Sequence, residues 1–461
     1  MIKRLLERVL SRRKVNNIRA ASPSEPLRTP AGQFGVDRTQ ISSAAARTCE
    51  QLQAAGYKAF VVGGAVRDLL LSRHPKDFDV ATDATPEQVR AVFRRSRIIG
   101  RRFKIVHVMF GQETIEVSTF RAAHHQAQAD STAETDEHGR LLRDNVYGSQ
   151  ADDAIRRDFT MNALFYDPSS EEIWDYTGGV ADIQKKCVVM IGEPEARYRE
   201  DPVRMLRAAR LAGKLGFAIE PRTQEPIAGL KNLLANVPEA RLYDELLKLL
   251  LSGHALDCIG MLRDLGLDGI LLPTLSAVLA DPNSQRFAKL ALERTDQRIA
   301  ADRGVSPAFL FAALFWFPMR AREAALVAKG ERSMAALHLA MDDALDAQRR
   351  TLAIPRRLDG NIKELWVSQP RFEQRSRGRA LRLMTHPRFR ACYDFYVLRA
   401  EAGDASVEIA DWWTRFQSAD DDMRELMFVA DEAPKKKRRR RKPRGDRAAI
   451  GDTSPPPADS Q

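Results

Sequence analysis

Apolar and polar residues follow two rhythms along this chain, and the change falls near residue 195. Upstream, short runs of alternating or continuous apolar character sit between turn residues, the pattern of half-buried and buried strands. Downstream, apolar positions recur at helical spacing to about residue 430 with few strand-like runs. The predicted order begins with an amphipathic helix from Thr39 to Ala55, stopped by Gly56. "KAFVVGG" reads as a strand, and "AVRDLLLS" as a helix starting directly after the glycines. "DFDVAT" is a strand. "TPEQVRAVFRR" is a helix with Thr85 as N-cap and Pro86 at its first position. "FKIVHVMFG" and "ETIEVSTFR" alternate across an intervening "GQ" and read as a hairpin. A long polar loop runs through "AAHHQAQADSTAETDEHGRLLRDNVYGS". A helix over about 150–165 and a short hairpin through "EEIWDYTGGVADIQKKCVVMIG" complete the first part. The expected class is α+β, a small mixed-sheet head followed by an all-helical remainder.

Composition narrows the picture. With 44% apolar and 29% charged residues in 461, the chain has material for two or three ordinary globular domains. The four cysteines, Cys49, Cys187, Cys258 and Cys392, are scattered, which fits a reducing compartment and excludes a disulfide framework or zinc ribbon. "AFLFAALFWF" at 308–317, ended by Pro318, is half the ~20 residues of a membrane span, so it reads as a core helix and no span is expected.

Charge is concentrated at the ends. Residues 435–447, "KKKRRRRKPRGDR", hold ten Lys/Arg and one Asp, and the first nineteen residues hold seven basic groups and one acidic. Against a total of +11, the globule between them is slightly acidic. Blocks of like charge do not fold on themselves, and phosphate neutralisation makes nucleic acid the leading partner. Residues 1–38 and 431–461 are expected to be disordered basic segments. The first also has the composition of a mitochondrial presequence, and the second that of a nuclear import signal.

The candidate chemistry lies in "VVGGAVRDLLLSRHPKDFDVAT", residues 61–82. In a strand, Asp77 and Asp79 project from one face while Phe78 and Val80 face the core. Paired carboxylates raise each other's pKa unless a cation lies between them. Mg²⁺ is usually bound by one or two carboxylates plus substrate phosphates. Glu116, flanked by Thr114 and Ser118 on one face of the neighbouring hairpin, is the candidate third ligand of a two-metal site, with metals about 4 Å apart. Gly63 and Gly64 let a phosphate approach the backbone at a helix start, with Arg67 one turn on as a candidate phosphate contact. A tight turn with a surface DxD is the bland alternative. The spacing argues against it. His107, between Val106 and Val108, reads as a packed strand histidine, and His124-His125 as solvated loop.

Together with these, "EVSTFR", "RRDFTMNAL" (156–164) and "REDPVRMLRAARLAGKLGF" (199–217) resemble the class II nucleotidyltransferase family, over about residues 55–250. Its members are tRNA CCA-adding enzymes and bacterial poly(A) polymerases. The resemblance implies a nucleotidyltransferase head (39–168), a base-selecting neck (169–250) and a helical RNA-binding body and tail (251–430). It implies that Asp77 and Asp79 are the metal-binding, catalytic pair, that Arg157 contacts the nucleotide, and that Asp158 is an active-site acid. Strand geometry points to Glu116 as the third carboxylate; the motif points to Asp158. Asp201, Arg204, Arg207 and Arg210 recur every three residues as a polar stripe, a salt-bridged surface helix if taken alone. The resemblance makes Asp201 and Arg204 readers of the base edge, as an acceptor and donors standing in for a template.

The implied reaction is template-independent transfer of AMP from ATP to RNA 3′ ends with Mg²⁺, in a bacterial cytoplasm. "IIGRRFKIVHVMFG" (98–111), with Arg101 and Arg102 as candidate phosphate contacts, resembles the poly(A) polymerase form of its segment. The basic C-terminal arm suits varied RNA substrates. The alternatives are a CCA-adding enzyme and, from another class, a noncatalytic RNA-binding adaptor. Intact carboxylates count against the adaptor.

Overall fold

The computed structural model describes residues 25–100, 104–122, 146–271, 273–349 and 352–429. Arg101, Arg102, His124, His125 and both basic blocks lie outside these residues. Eight strands form one sheet: β1 (Leu27–Pro30), β2 (Ala59–Val62), β3 (Asp79–Thr82), β4 (Ser96–Ile99), β5 (Ile105–Phe110), β6 (Glu113–Thr119), β7 (Leu164–Asp167) and β8 (Glu172–Asp175). Their order is β1-β8-β7-β2-β3-β6-β5-β4. Only β3 and β6 pair in parallel, which makes the sheet mixed, as the sequence predicts.

The central strand β2 is buried on both faces, which is why it is a continuous apolar run. One face carries Val61, Val80, Val108 and Val117 against helices α1 (Ser43–Ala54), α2 (Gly64–Leu70) and α3 (Pro86–Val92). α3 opens with the expected cap: Thr85 Oγ1 accepts from the Gln88 N–H and Pro86 takes the first turn. On the other face Phe60, Val62, Ala81, Phe120 and Phe165 meet Ala154 of α4 (Gln150–Arg156). Phe60 and Phe165 stand edge to face at 6.0 Å, a pair worth about 1 kcal/mol beyond its buried area.

Several elements differ from expectation. Residues 25–38 do not lie loose: β1 pairs with β8, and the Ala31 N–H donates to the Glu171 carbonyl at 2.8 Å. Buried Ala31 and Val36 anchor a stretch whose Ser/Pro/Gly content suggested disorder. The first helix starts at Ser43, with Ser42 as its cap, because residues 38–40 form a separate turn capped by Asp37. The helix over 150–165 stops at Arg156, and "LFYD" pairs with "EIWD" as the β7–β8 hairpin. The sheet therefore extends past 39–168 at both ends. The segment expected as a hairpin continues instead into helix α5 (Gly179–Gln184) and a two-residue strand at 187–188. β4 was not anticipated.

Beyond α6 (Pro194–Glu200) and α7 (Val203–Leu215) the described chain is helical apart from the short strand 218–219. The apolar run at 308–317 divides as the buried core position requires. Helix Pro307–Leu314 is buried at six of its eight residues, and Pro318 sits in the first turn of Trp316–Ala328, where it costs no hydrogen bond. No helix among the described residues is long and apolar enough to cross a membrane. α7 ties the two parts together. A Cβ on its Gly213 would stand 2.6 Å from the backbone of Cys258, so glycine allows the backbones of α7 and helix Ala255–Asp264 to touch.

Candidate active site

Strand register draws one transverse row across the Phe165 face of the sheet. Phe165 pairs with Val62, Val62 with Asp79, Asp79 with Glu116, and Glu116 with His107. Because partners at one register share a face, the row passes from apolar to acidic within the span of five strands. Asp79 begins β3, exposed toward a cleft, while Phe78 and Val80 are buried as alternation predicts. Asp77 lies two residues before the first paired residue and is exposed.

The cleft encloses about 480 Å³ and brings together Gly63, Gly64, Arg67, Asp79, Glu116, Arg157, Asp158, Asp201, Arg204, Arg207 and Arg210. Among the described residues, every site residue expected from sequence lines it except Asp77. That carboxylate bears on the cleft by charge. Incomplete hydration, then Glu116 and Asp77 against the opposing charge of Arg157, push Asp79 up to about 6.

The turn before α2 is built around Gly63, at φ 73° and ψ −126°. A Cβ there would stand 3.2 Å from Arg157 Nη1. Gly63→Ala should cost roughly 1–3 kcal/mol in backbone strain and displace Arg157. Urea unfolding measures the first effect and a crystal structure of the variant the second.

Arg67 lines the cleft with its guanidinium tied to neighbouring side chains. It is 6% exposed, donating from Nε and Nη2 to Asp68 Oδ1 and from Nη1 to Asn162 Oδ1 at 2.7 Å. Arg157 is held by Asp153, which accepts from Nη2 at 2.9 Å, and by the Asn162 carbonyl at 3.2 Å. Asp153 is fully buried and also accepts from Arg156 Nε. Burial acts to raise its pKa, but the charges of Arg157 and Arg156 outweigh it and hold it low.

Asp158 is committed elsewhere than to the carboxylate row. Its Oδ1 accepts from the Phe159 N–H at 2.9 Å and from Asn162 Nδ2 at 3.2 Å, and its Oδ2 from Arg207 Nε at 2.6 Å. Burial favours its neutral form, yet the Arg207 charge and these bonds hold its pKa below the usual range. Glu116, not Asp158, is the neighbour of Asp79. His107 corrects its own expectation: it is half-buried rather than packed away, with Nε2 3.3 Å from Glu116 Oε1.

Asp201 is not on the α7 face, because the chain is extended there (φ −143°, ψ 96°) and the helix starts after Pro202. Its Oδ2 accepts from Arg241 Nη2 at 2.8 Å. Nor is α7 a surface helix. Arg204 is 8% exposed and donates to the Arg197 carbonyl and to Glu200. Arg210 Nε donates to buried Glu245 at 2.5 Å. Sequence reasoning assigned no role to Asp153, Asn162, Arg197 or Glu245. Only Asp153 carried a local signal, lying three and four residues before Arg156 and Arg157 on one helix.

Among the described residues, no three His, Cys, Asp or Glu side chains converge into a ready-made metal cage. Asp77 and Asp79 still fit a hard divalent cation. Among the described residues no donor is bonded to either, and their carboxylates are acceptors whose mutual charge calls for a counterion.

A carboxylate-lined cleft on a small mixed sheet, closed by arginines from a helical neck, defines a nucleotidyltransferase. The sequence matches the descriptions "Poly A polymerase head domain" over residues 59–189, "Probable RNA and SrmB- binding site of polymerase A" over 216–279 and "Polymerase A arginine-rich C-terminus" over 329–446. It is 44% identical to poly(A) polymerase I of Escherichia coli O6:H1 over 447 residues, which cover 95% of this chain and 96% of that protein. A CCA-adding enzyme of Bacillus licheniformis is 36% identical over 48% of this chain and 54% of its own length. The solved Bacillus stearothermophilus CCA-adding enzyme in complex with CTP superposes with a TM-score of 0.56 at 26% identity, covering 85% of this chain and 83% of that one. The chain belongs to the poly(A) polymerase family, and its activity class is polynucleotide adenylyltransferase.

Proposed function

We propose that this chain grows adenylate tails on RNA 3′ ends from ATP, with Asp77 and Asp79 holding Mg²⁺ beside the reacting phosphorus. The observation that carries this is the register of Asp79 and Glu116, which sets two carboxylates side by side opposite the Gly63-Gly64 turn. Mg²⁺ bound there supplies Lewis acidity to the attacking hydroxyl and neutralises triphosphate charge. The chain's own residues do the rest. Gly63 and Gly64 give the triphosphate a surface without side chains, and Arg157 aims a fixed positive charge along it. Arg67 supports that turn from beneath. Asp201, held by Arg241 through Oδ2 and by the Val203 N–H through Oδ1, and Arg204, anchored through Nη1, offer their remaining lone pairs and N–H groups to the adenine edge. Arg207 holds the neck against the head through Asp158, and Arg210 braces the neck internally through Glu245. RNA enters across the helical part and the basic C-terminal block, and the cytoplasm is the proposed location, supported by the bacterial relatives.

Long tails rather than CCA ends are supported by the extent of likeness: the E. coli relative matches along nearly the whole chain, the B. licheniformis one along about half. A primer-extension assay tests this, with single nucleoside triphosphates supplied to a generic single-stranded RNA and to a tRNA lacking its CCA end. ATP alone should give long ladders on the generic RNA. Addition limited to three residues, on the tRNA only and needing CTP, would contradict it.

A further inference from the structure

Asn162 joins more of the cleft than any of its charged residues do. It ends the short turn Thr160–Asn162, which is fixed at its start by the Thr160 N–H on the Val189 carbonyl and by Thr160 Oγ1 on Asp182. Three of its atoms then meet three different cleft groups. Oδ1 accepts from Arg67, Nδ2 donates to Asp158, and the backbone carbonyl accepts from Arg157. Through Asp158 it also reaches Arg207.

A carboxamide is suited to this. Arg67 is purely a donor and ionised Asp158 purely an acceptor, so the side chain between them must both accept and donate, and the Asn162 amide does so from two separate atoms of one flat group. The two partners fix the amide orientation. We infer that Asn162 is the positioning residue of the cleft, setting Arg67 under the glycine turn and Asp158 against Arg207 so that the triphosphate meets a preformed cationic wall. This rests on the assignment of the cleft to ATP. Preorganisation of this kind is felt as binding, because an arginine free to swing must be reordered each time nucleotide arrives.

The variants are Asn162→Ala and Asn162→Asp, with KM and kcat measured for both ATP and RNA and thermal melting followed alongside. Asn162→Ala should raise the KM for ATP about tenfold and leave that for RNA unchanged. Asn162→Asp keeps the size and the Arg67 bond but sets a second carboxylate against Asp158. It should bind ATP no better than Asn162→Ala. A double-mutant cycle with Arg67→Ala should be strongly non-additive, since one residue acts through the other. An Asn162→Asp enzyme close to wild type would overturn the inference by reducing Asn162 to a space-filler. So would full additivity with Arg67→Ala, or a fall in kcat with both KM values unmoved and a lowered melting temperature. If Asn162→Ala does not fold, Asn162→Asp carries the same comparison. A wild-type enzyme that prefers another triphosphate would refute the adenylate assignment instead, and the same ratios measured with that nucleotide would still decide the role of Asn162.

Discussion

Asp79→Ala should lower adenylate transfer by about a thousandfold or more, the several kcal/mol that a metal-held charge supplies to a transition state, and leave the chain folded. The side chain faces the cleft, while the neighbours that hold β3, Phe78 and Val80, are buried and untouched. Stability should even improve at neutral pH. A carboxylate whose pKa rises from 3.8 to about 6 on folding binds protons more readily in the folded state. Stability is therefore lost as pH climbs from about 4 to 6, and the ionised form is disfavoured above that window. Asp79→Asn should accordingly melt higher than wild type at pH 7 without metal, and the difference should vanish below pH 4. The same shift gives cation binding an acid limb. Below pH 6 the affinity for Mn²⁺ should fall as protons compete for Asp79. An Asp79→Asn variant that melts lower at pH 7, or a Mn²⁺ affinity flat between pH 5 and 7, would show that burial and neighbouring charge do not disfavour the ionised Asp79.

Asp158→Ala should behave differently. Asp158 is bonded on both oxygens, and its loss leaves Arg207 with only its longer 4.0 Å contact to Glu245, and Asn162 Nδ2 and the Phe159 N–H without an acceptor. Breaking a fully buried pair costs 3–5 kcal/mol; with Arg207 about one-third exposed, about 2 kcal/mol is expected. The sign with pH is opposite to that of Asp79. A folded pKa held below 3.8 gives stability that is present above that value and lost as pH falls through the folded one. The penalty of Asp158→Asn should therefore be full at pH 7 and shrink below pH 4, as urea unfolding at the two pH values would measure. Activity should fall with stability, since Arg207 loses its aim. A metal ligand would give the reverse, an inactive enzyme of wild-type stability.

What the sequence made legible was set by local periodicity. Asp77, Asp79 and Glu116 could be placed because strand alternation fixes which side chains share a face, and the structure puts Asp79 and Glu116 at one register. The same logic could not see that Asp77 falls outside the paired strand. Residues 25–38 were misjudged because their order comes from pairing with β8, some 140 residues away, not from their own composition. β4 was missed because four residues after a helix carry too little pattern. The helix at 150 was run too far because Arg157, turned to ψ 167°, ends it with no proline or glycine to announce the break. Arg67 and Arg207 were recognised as cleft residues, but their partners, Asn162 and Asp158, lie 95 and 49 residues away. Distances of that kind exist only once the chain has folded. The family motifs supplied the positions, and the structure supplied the bonds.

The most direct test is anomalous diffraction from crystals soaked with Mn²⁺ and a non-hydrolysable ATP analogue. A manganese peak is expected against the carboxylates of Asp77 and Asp79, with the triphosphate beside Gly63-Gly64 and the adenine toward Asp201 and Arg204. A manganese peak away from both aspartates, or a nucleotide bound outside the cleft, would contradict it.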